Sequence, residues 1–363
     1  MKDSGLTIRK KIKQILRTGI YGYLMRYRSY RTLQIAFFAH RKIFGLRVRA
    51  DASTVCQLRC PACSTAAGKI ARGTIGRGQL KARHFRRLLR ENPLIKRVEL
   101  SNWGEIFLNP ELSKIMKIAH EGGVRLTALN GVNLNTVKPR TLEDLVRYKF
   151  RALSVSIDGA SPETYPIYRV NGDFNRVIEN IKLINKFKKK YDSPYPRLTW
   201  QFVIFGHNEH ELSRAREMAS ELGMKLKPKL NHTPGLYSVK DEEFVRREGG
   251  FGVASRDEFR YKTKTEYSFP CIQLWSNPQI NWDGKLLGCC VNKWGHFGKA
   301  FREPMADLLK SERYVYAKRM ILGLLPPRRD IPCVKCKTYW RLNPNARREA
   351  PEIASAVLGE NAG

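Results

Sequence analysis

The sequence predicts an α/β protein, a parallel sheet or barrel of about six βα units over residues 46–238, followed by a smaller cysteine-bearing unit. Three observations point there. From residue 46 to about 230, short β-like runs alternate with longer helical ones. Polar or glycine-containing segments follow several of those runs. The composition, 42% hydrophobic with 27 Gly, 18 Pro and a mean hydropathy of −0.44, is that of a soluble globular chain and excludes collagen-like and membrane-spanning classes.

The candidate strands are 46–52, 97–101, 125–129, 152–157, 198–204 and 225–229. Between them lie candidate helices at 79–90, 110–120, 141–148, 174–190 and 209–222. Such alternation implies right-handed crossovers, and chemistry then gathers beyond the carboxyl ends of the strands, where loops and helix N-termini converge. Asn102-Trp103-Gly104-Glu105, Asn130-Gly131 and Asp158-Gly159 fall at such ends. The charged stretch 239–267, with Gly249, Gly250 and Gly252, reads as a linker. The unit at 268–342 contains β-like pieces at 278–282 and 286–290 that turn at Asp283-Gly284, a hairpin signal. The tail at 343–363 reads as peripheral.

Charge is unusual. Lys+Arg 67 against Asp+Glu 33 give a net +34, which implies an anionic partner such as a phospholipid surface, a phosphorylated substrate or nucleic acid. Thirteen Lys/Arg and the single acid Asp3 put +12 in the first 50 residues. Ile8, Ile12, Ile15, Leu16, Ile20, Tyr23 and Leu24 recur there at helical spacing, so residues 1–45 read as a basic amphipathic helical extension. Arg17, Arg26 and Arg28 interrupt every apolar run, which excludes a signal peptide or a transmembrane span. The extension suits either an anionic membrane interface or packing on the rest of the protein. The expected location is cytoplasmic, peripheral at the inner face of the membrane. A second basic stretch, from Lys69 to Arg97, carries Gly68, Gly73, Gly76 and Gly78, so its first half reads as flexible and able to approach a phosphate. It serves equally as a solvated face. Nucleic acid is the weaker partner, since no RRM, KH or zinc-finger signature is present.

Eight cysteines fall in two groups: Cys56, Cys60 and Cys63, then Cys271, Cys289, Cys290, Cys333 and Cys336. Clustering at ligand-like spacings in a large chain favours metal binding in a reducing compartment over a disulfide framework. Three thiolates on one short loop can hold a cuboidal 4Fe-4S cluster and leave one iron open to a small molecule, whereas structural zinc wants a fourth ligand.

These residues, with others, resemble the radical S-adenosylmethionine (SAM) enzymes that carry a C-terminal SPASM or twitch extension. Ser101-Asn102-Trp103-Gly104-Glu105 with Asn109-Pro110-Glu111-Leu112 is similar to the family's Gly-Gly-Glu element, and Asn130-Gly131 to its Thr-Asn-Gly. The run from Ser154 to Gly159, with Ser161-Pro162-Glu163-Thr164-Tyr165 and Tyr168-Arg169, resembles its fourth-strand motif, and the run from Asn208 to Leu212 its element after the fifth strand. Ala62 and Trp103 depart from the family, which more often has an aromatic residue and a glycine there. The resemblance implies a partial (βα)6 radical SAM barrel, a small C-terminal SPASM/twitch-like iron-sulfur domain and the basic N-terminal helical extension. It implies SAM on the open iron of a 4Fe-4S cluster held by Cys56, Cys60 and Cys63, and a 5'-deoxyadenosyl radical that takes hydrogen from the substrate. Gly104 and Glu105 would receive the SAM amino group, Ser156 and Asp158 would approach its ribose or carboxylate, Asn130 would line the cleft and Arg169 would meet the carboxylate. An electron donor such as flavodoxin or ferredoxin is the implied partner.

In the second group, the Asp283-Gly284 turn returns the chain so that Cys271, Cys289, Cys333 and Cys336 resemble the ligand set of one auxiliary 4Fe-4S cluster, with structural zinc as the alternative. An auxiliary cluster near the substrate favours accepting an electron, hence oxidation. Cys290 is left over. It is a hydrogen donor for redox-neutral epimerisation, the ligand in place of Cys289, or a buried small hydrophobe. The reading is an oxidoreductase acting on an anionic peptide, phosphorylated sugar or lipid-linked intermediate. An RNA-modifying radical enzyme and a non-catalytic basic zinc-binding adaptor are the alternatives.

Overall fold

The computed structural model describes residues 45–233, 235–263, 267–268 and 270–359; apart from Gly45, the expected amphipathic extension and its membrane contact lie outside the described residues. Among the described residues no helix is long and apolar enough to cross a membrane.

Six parallel strands follow one another in sequence and in space: β1 (Leu46–Ala50), β2 (Ile95–Glu99), β3 (Arg125–Val132), β4 (Ala152–Ser156), β5 (Arg197–Ile204) and β6 (Lys225–Leu230). Helices α1 (Ala82–Glu91), α2 (Leu112–Glu121), α3 (Pro139–Arg147), α4 (Phe174–Lys190) and α5 (Leu212–Glu221) cross between them. This open, sequentially ordered sheet is the partial (βα)6 barrel expected from the sequence.

Each strand alternates two faces. Val48, Val98, Ala128, Leu153, Val155, Trp200, Phe202 and Ile204 join the buried core beneath the helices. Their neighbours Arg49, Glu99, Thr127, Ser154, Ser156 and Gln201 point the other way, since successive side chains of a strand face opposite sides. The concave side is therefore polar, and several of its groups pair with one another. The Glu99 carboxylate accepts from Ser101 Oγ (2.6 Å), Thr127 Oγ1 (2.6 Å) and Leu129 N (2.7 Å), while Gln201 Nε2 donates to Ser156 Oγ (3.3 Å).

A seventh strand comes from the cysteine-bearing unit. β7 (Gln279–Ile280) pairs in parallel with β1, so the sheet runs β6-β5-β4-β3-β2-β1-β7. The expected hairpin appears as the Asp283-Gly284 turn, an antiparallel bridge from Ile280 to Leu286 and the hydrogen bonds of Asn281 N to Lys285 O (2.9 Å) and Leu287 N to Gln279 O (2.8 Å). Gly284 takes φ +90°, and a Cβ there would meet the Phe301 ring at 2.5 Å, so the turn needs glycine.

The stretch read as a linker holds two helices, Glu242–Glu248 and Arg256–Thr263. Asp241 caps the first by accepting from Phe244 N (2.8 Å), Val245 and Phe259 are buried, and the Glu258 carboxylate joins the two through Arg246 (3.0 Å). High charge hid these buried positions in the sequence. The tail likewise forms helices Pro344–Glu349 and Pro351–Leu358, which bury Ala346 and Ala354. The glycine-rich stretch after Cys63, read as flexible, is tied at Thr74 and Ile75. Lys285 Nζ donates to Thr74 O (3.0 Å), and Trp282 Nε1 and Asn281 Nδ2 both donate to Ile75 O (2.9 and 2.8 Å).

Candidate active site at the strand ends

Cys56, Cys60 and Cys63 lie on the loop that leaves β1, and none forms a disulfide. The segment that follows the neighbouring strand β2 holds that loop. Gly104 N donates to Ser53 O (3.1 Å) and Glu105 N to Val55 O (2.8 Å). A Cβ on Gly104 would stand 2.5 Å from Ser53 O and 2.6 Å from Val55 N, so only glycine allows this approach. On the far side, Cys60 packs with Leu58, Tyr168, Val203 and Phe205, and the Tyr168 and Phe205 rings lie 4.4 Å apart. His207 stacks on Phe205 at 5.4 Å, extending an aromatic shelf on the side of the loop where Cys60 is buried.

Arg169 links the loop to the barrel interior. Its Nε and Nη2 both lie 2.6 Å from Asp158 Oδ2, and Nη1 reaches Cys60 Sγ at 3.7 Å. Asp158 is fully buried, and its Oδ1 accepts from Val203 N (2.7 Å). Glu105, also buried, accepts from Phe107 N (3.1 Å) through one oxygen and from Asn133 N (2.6 Å) through the other. Both carboxylates assigned to SAM from the sequence thus hold backbone as well. Ser156 Oγ sits where a Cβ on Gly131 would come within 2.5 Å, and Asn130 Nδ2 donates to Asn102 Oδ1 (3.1 Å) at the rim. The structure brings Glu105, Asp158, Arg169 and Cys60 around one loop, with Ser156 and Asn130 on the adjoining strand ends.

Burial pushes the Cys56 thiol up to about 12, reinforced by the Glu105 carboxylate, and raises Cys60 against the opposing pull of Arg169. Buried thiols of this kind are poor free nucleophiles, yet they suit ligation to a positively charged metal centre, which takes them as thiolates.

The second cysteine set gathers beside β7. Cys271 feels the charges of Cys289, Cys336 and Cys333, and burial with those neighbours raises its thiol well above the ordinary range. A turn over Pro332–Lys335 brings Cys336 N to Cys333 O (3.1 Å), and buried Tyr314 lies within reach of Cys289 and Cys333. Cys290 turns elsewhere. Its N donates to Gln273 Oε1 (2.7 Å), its Sγ accepts from Gln273 Nε2 (3.4 Å), and its charged neighbours are Arg49 and Asp51. Cys271, Cys289, Cys333 and Cys336 are electrostatic neighbours of one another, and Cys290 also bears on Cys289. Among the described residues no group of three or more His, Cys, Asp or Glu side chains is drawn together to hold a single metal ion. Donor chemistry and chain position are what fit the two sets to clusters.

The sequence reading missed several interior groups. Asp51, at the end of β1, is fully buried, and neither oxygen has a hydrogen-bond partner, although the Gln279 side chain and the Trp103 backbone lie beside it. The Arg49 guanidinium is spent on Gln279 Oε1 (2.9 Å) and Ser101 O (3.1 Å). Burial pushes the Asp51 carboxyl up to about 7, with Arg49 opposing and Asp283 adding. Burial also drives the Lys229 ammonium, hydrogen-bonded to Gln201, down to about 8. The signal for all of them was the polar phase of the strand alternation.

Asp51 has a consequence for stability. The folded protein keeps a proton on Asp51 that the unfolded chain releases near pH 4, so stability falls as pH rises from there through about 7. Asp51→Asn is expected to flatten this dependence by roughly 4 kcal/mol between pH 4 and pH 8, at about 1.4 kcal/mol per pH unit. Unfolding measured at several pH values checks it, and an unchanged slope in the variant would place the dependence elsewhere.

Two family profiles match the chain: that of the Radical SAM superfamily over residues 52–219, and that of the SPASM iron-sulfur cluster-binding domain over residues 271–337. The chain is a radical SAM enzyme with a SPASM domain. Its cofactors are accordingly SAM with a 4Fe-4S cluster and an auxiliary iron-sulfur centre, and the non-catalytic adaptor falls away. It is 29% identical over 171 residues to an AdoMet-dependent heme synthase of Methanosarcina barkeri (strain Fusaro / DSM 804), a match to 46% of this chain and 45% of that protein. The chain thus matches less than half the length of that relative. In fold it is similar to Streptococcus suis SuiB bound to S-adenosylmethionine, with 15% identity, 81% of this chain and 71% of that one covered, and a TM-score of 0.57. It is also similar in fold to native anSMEcpe with bound AdoMet, with 16% identity, 82% and 88% covered, and a TM-score of 0.54.

Proposed function

We propose that the protein is a radical SAM oxidoreductase that removes hydrogen from an anionic substrate. The observation that carries this reading is the grouping of the thiols, three on the β1 loop and Cys271, Cys289, Cys333 and Cys336 as mutual neighbours in the second unit. When bound, the two centres supply a carbon radical that takes one hydrogen atom and an acceptor for the electron left on the substrate. The chain's own residues do the rest. Arg169 and Gly104 hold the cysteine loop in place, and Tyr168 and Phe205 pack against Cys60. Gln201, Ser156 and Lys229 offer donors on the concave face.

A second reading rests on Cys290. Near Asp51 and Arg49 and hydrogen-bonded to Gln273, its thiol would return a hydrogen atom to the substrate radical and make the net reaction an epimerisation, the sulfur radical left behind being restored to the thiol by one electron from the added reductant and one solvent proton.

One experiment tests both. Brown, anaerobically prepared enzyme is incubated in D2O with SAM, a reductant and candidate peptides, phosphorylated sugars or lipid-linked phosphates, and 5'-deoxyadenosine and product mass are measured. Oxidation yields 5'-deoxyadenosine with a product lighter by two hydrogens and no solvent deuterium. Return of hydrogen from Cys290 yields a product of unchanged composition that has gained one deuterium. Iron-replete enzyme that forms no 5'-deoxyadenosine above background with any of them would overturn the proposal.

A further inference from the structure

A cavity of about 1040 Å³ opens between the cysteine loop, the auxiliary unit and the C-terminal tail helix Pro351–Leu358. Its wall includes Ser64, which follows Cys63, and Cys336 of the second set, so it adjoins both groups of thiols. Five cations line it: Lys293, Arg329, Lys335, Lys337 and Arg341. The acid in that lining, Glu352, pairs with Arg329 at 3.2 Å, and Lys293, Lys335 and Lys337 keep the lining positive. Apart from Ser64 and Thr338 the remaining wall is mostly apolar, with Trp103, Trp294, Ile353 and Val357, and Trp103 Nε1 is a buried donor with no hydrogen-bond partner.

We propose that this cavity binds an amphiphilic phosphate ester, the phosphate on the lysine and arginine side chains and the apolar body on the tryptophans and the tail helix. The inference rests on the anionic-substrate reading above and gives that substrate its class. Ligand pockets of this type combine mostly apolar walls with a few convergent polar groups, and about 300–1,000 Å³ is usual, so the volume suits a body larger than a simple sugar phosphate. A cluster of cations in a concave site with low-dielectric walls focuses its field on an anion far more than scattered surface charge does. An inorganic anion alone would leave the apolar walls unused, and an uncharged lipid would leave the cations unused. The tail, peripheral in the sequence reading, becomes a wall of the site through Ile353, Ala356 and Val357.

The same chemistry is offered by a free ester and by a membrane lipid, and the proposal commits to the free ester. The test is binding without turnover, so its failure leaves the SAM-cleavage assay untouched. Decyl phosphate is titrated into the full-length, cluster-loaded protein below its micelle concentration, with quenching of tryptophan fluorescence and calorimetry as readouts. Saturable one-to-one binding is expected, at least about tenfold tighter than inorganic phosphate or decanol. Lys293→Gln with Arg341→Gln should weaken it about tenfold, Ile353→Asp likewise, while Lys182→Gln with Lys186→Gln on the exposed face of α4 should not. Iron content and circular dichroism confirm that each variant is folded and loaded. Equal affinity for inorganic phosphate, equal loss in cavity and α4 variants, or binding to phosphatidic acid vesicles but not to free decyl phosphate would each overturn the proposal.

Discussion

Cys60→Ala is expected to abolish 5'-deoxyadenosine formation while about half of the iron remains on the protein, as two four-iron centres held by separate ligand sets require. Loss of an outer-shell partner of a metal site costs about 10–100-fold, so loss of one of the three ligands proposed on the β1 loop should exceed a hundredfold. Cys60 is the most informative of the three. It is buried against Leu58, Tyr168 and Phe205, and Arg169 Nη1 stands 3.7 Å from its sulfur. Alanine fits that apolar seat, so the fold survives and the loss belongs to the sulfur. Cys271→Ala supplies the reciprocal result: it removes the other half of the iron and spares the cysteine loop. Anaerobic iron analysis with chromatographic detection of 5'-deoxyadenosine decides the matter. A Cys60→Ala protein with full iron and undiminished SAM cleavage would show that the β1 loop is not the ligand set.

The six strands and their crossing helices were legible because each strand carries a buried apolar phase, Val48 and Ala50 in β1 or Trp200, Phe202 and Ile204 in β5, set off by helical runs. The cysteine spacing was legible for the same kind of reason, since ligand chemistry forces local clustering. Asp51, Glu99 and Lys229 were not. A polar residue inside a strand reads as solvent-facing until closure of the sheet shows that its second face is also enclosed. β7 was missed in its role because a two-residue strand has no periodicity, and its partner β1 lies more than two hundred residues earlier. The helices at Glu242–Glu248 and Arg256–Thr263 were read as a linker because their few buried side chains, Val245 and Phe259 among them, are outnumbered by ion-paired ones such as Arg246 and Glu258. The separation of Cys290 from Cys289 depends on Gln273, seventeen residues away, and no local spacing encodes it.

Arg169→Met is expected to destabilise the folded protein by about 3–5 kcal/mol, the usual consequence of leaving one member of a buried ion pair alone. Asp158 is 0% exposed, and its Oδ2 has two guanidinium nitrogens at 2.6 Å, whereas Oδ1 has only Val203 N. Methionine fills much of the arginine volume, so little of the loss comes from packing. Asp158→Asn added to Arg169→Met removes the stranded charge and should recover more than half of the stability, which a purely steric role for Arg169 would not allow. Arg169→Lys separates the two tasks of the side chain. An ammonium can stay near Asp158 but cannot place one nitrogen on Oδ2 and another on Cys60 Sγ, because it lacks the planar fork. That variant should therefore keep most of the stability and lose SAM cleavage about tenfold or more. Denaturant unfolding of the three variants, with 5'-deoxyadenosine formation measured on the folded ones, tests the two tasks independently. An Arg169→Met protein as stable as the parent would mean that Asp158 finds another partner, and an Arg169→Lys protein of full activity would mean that the contact with Cys60 carries no function.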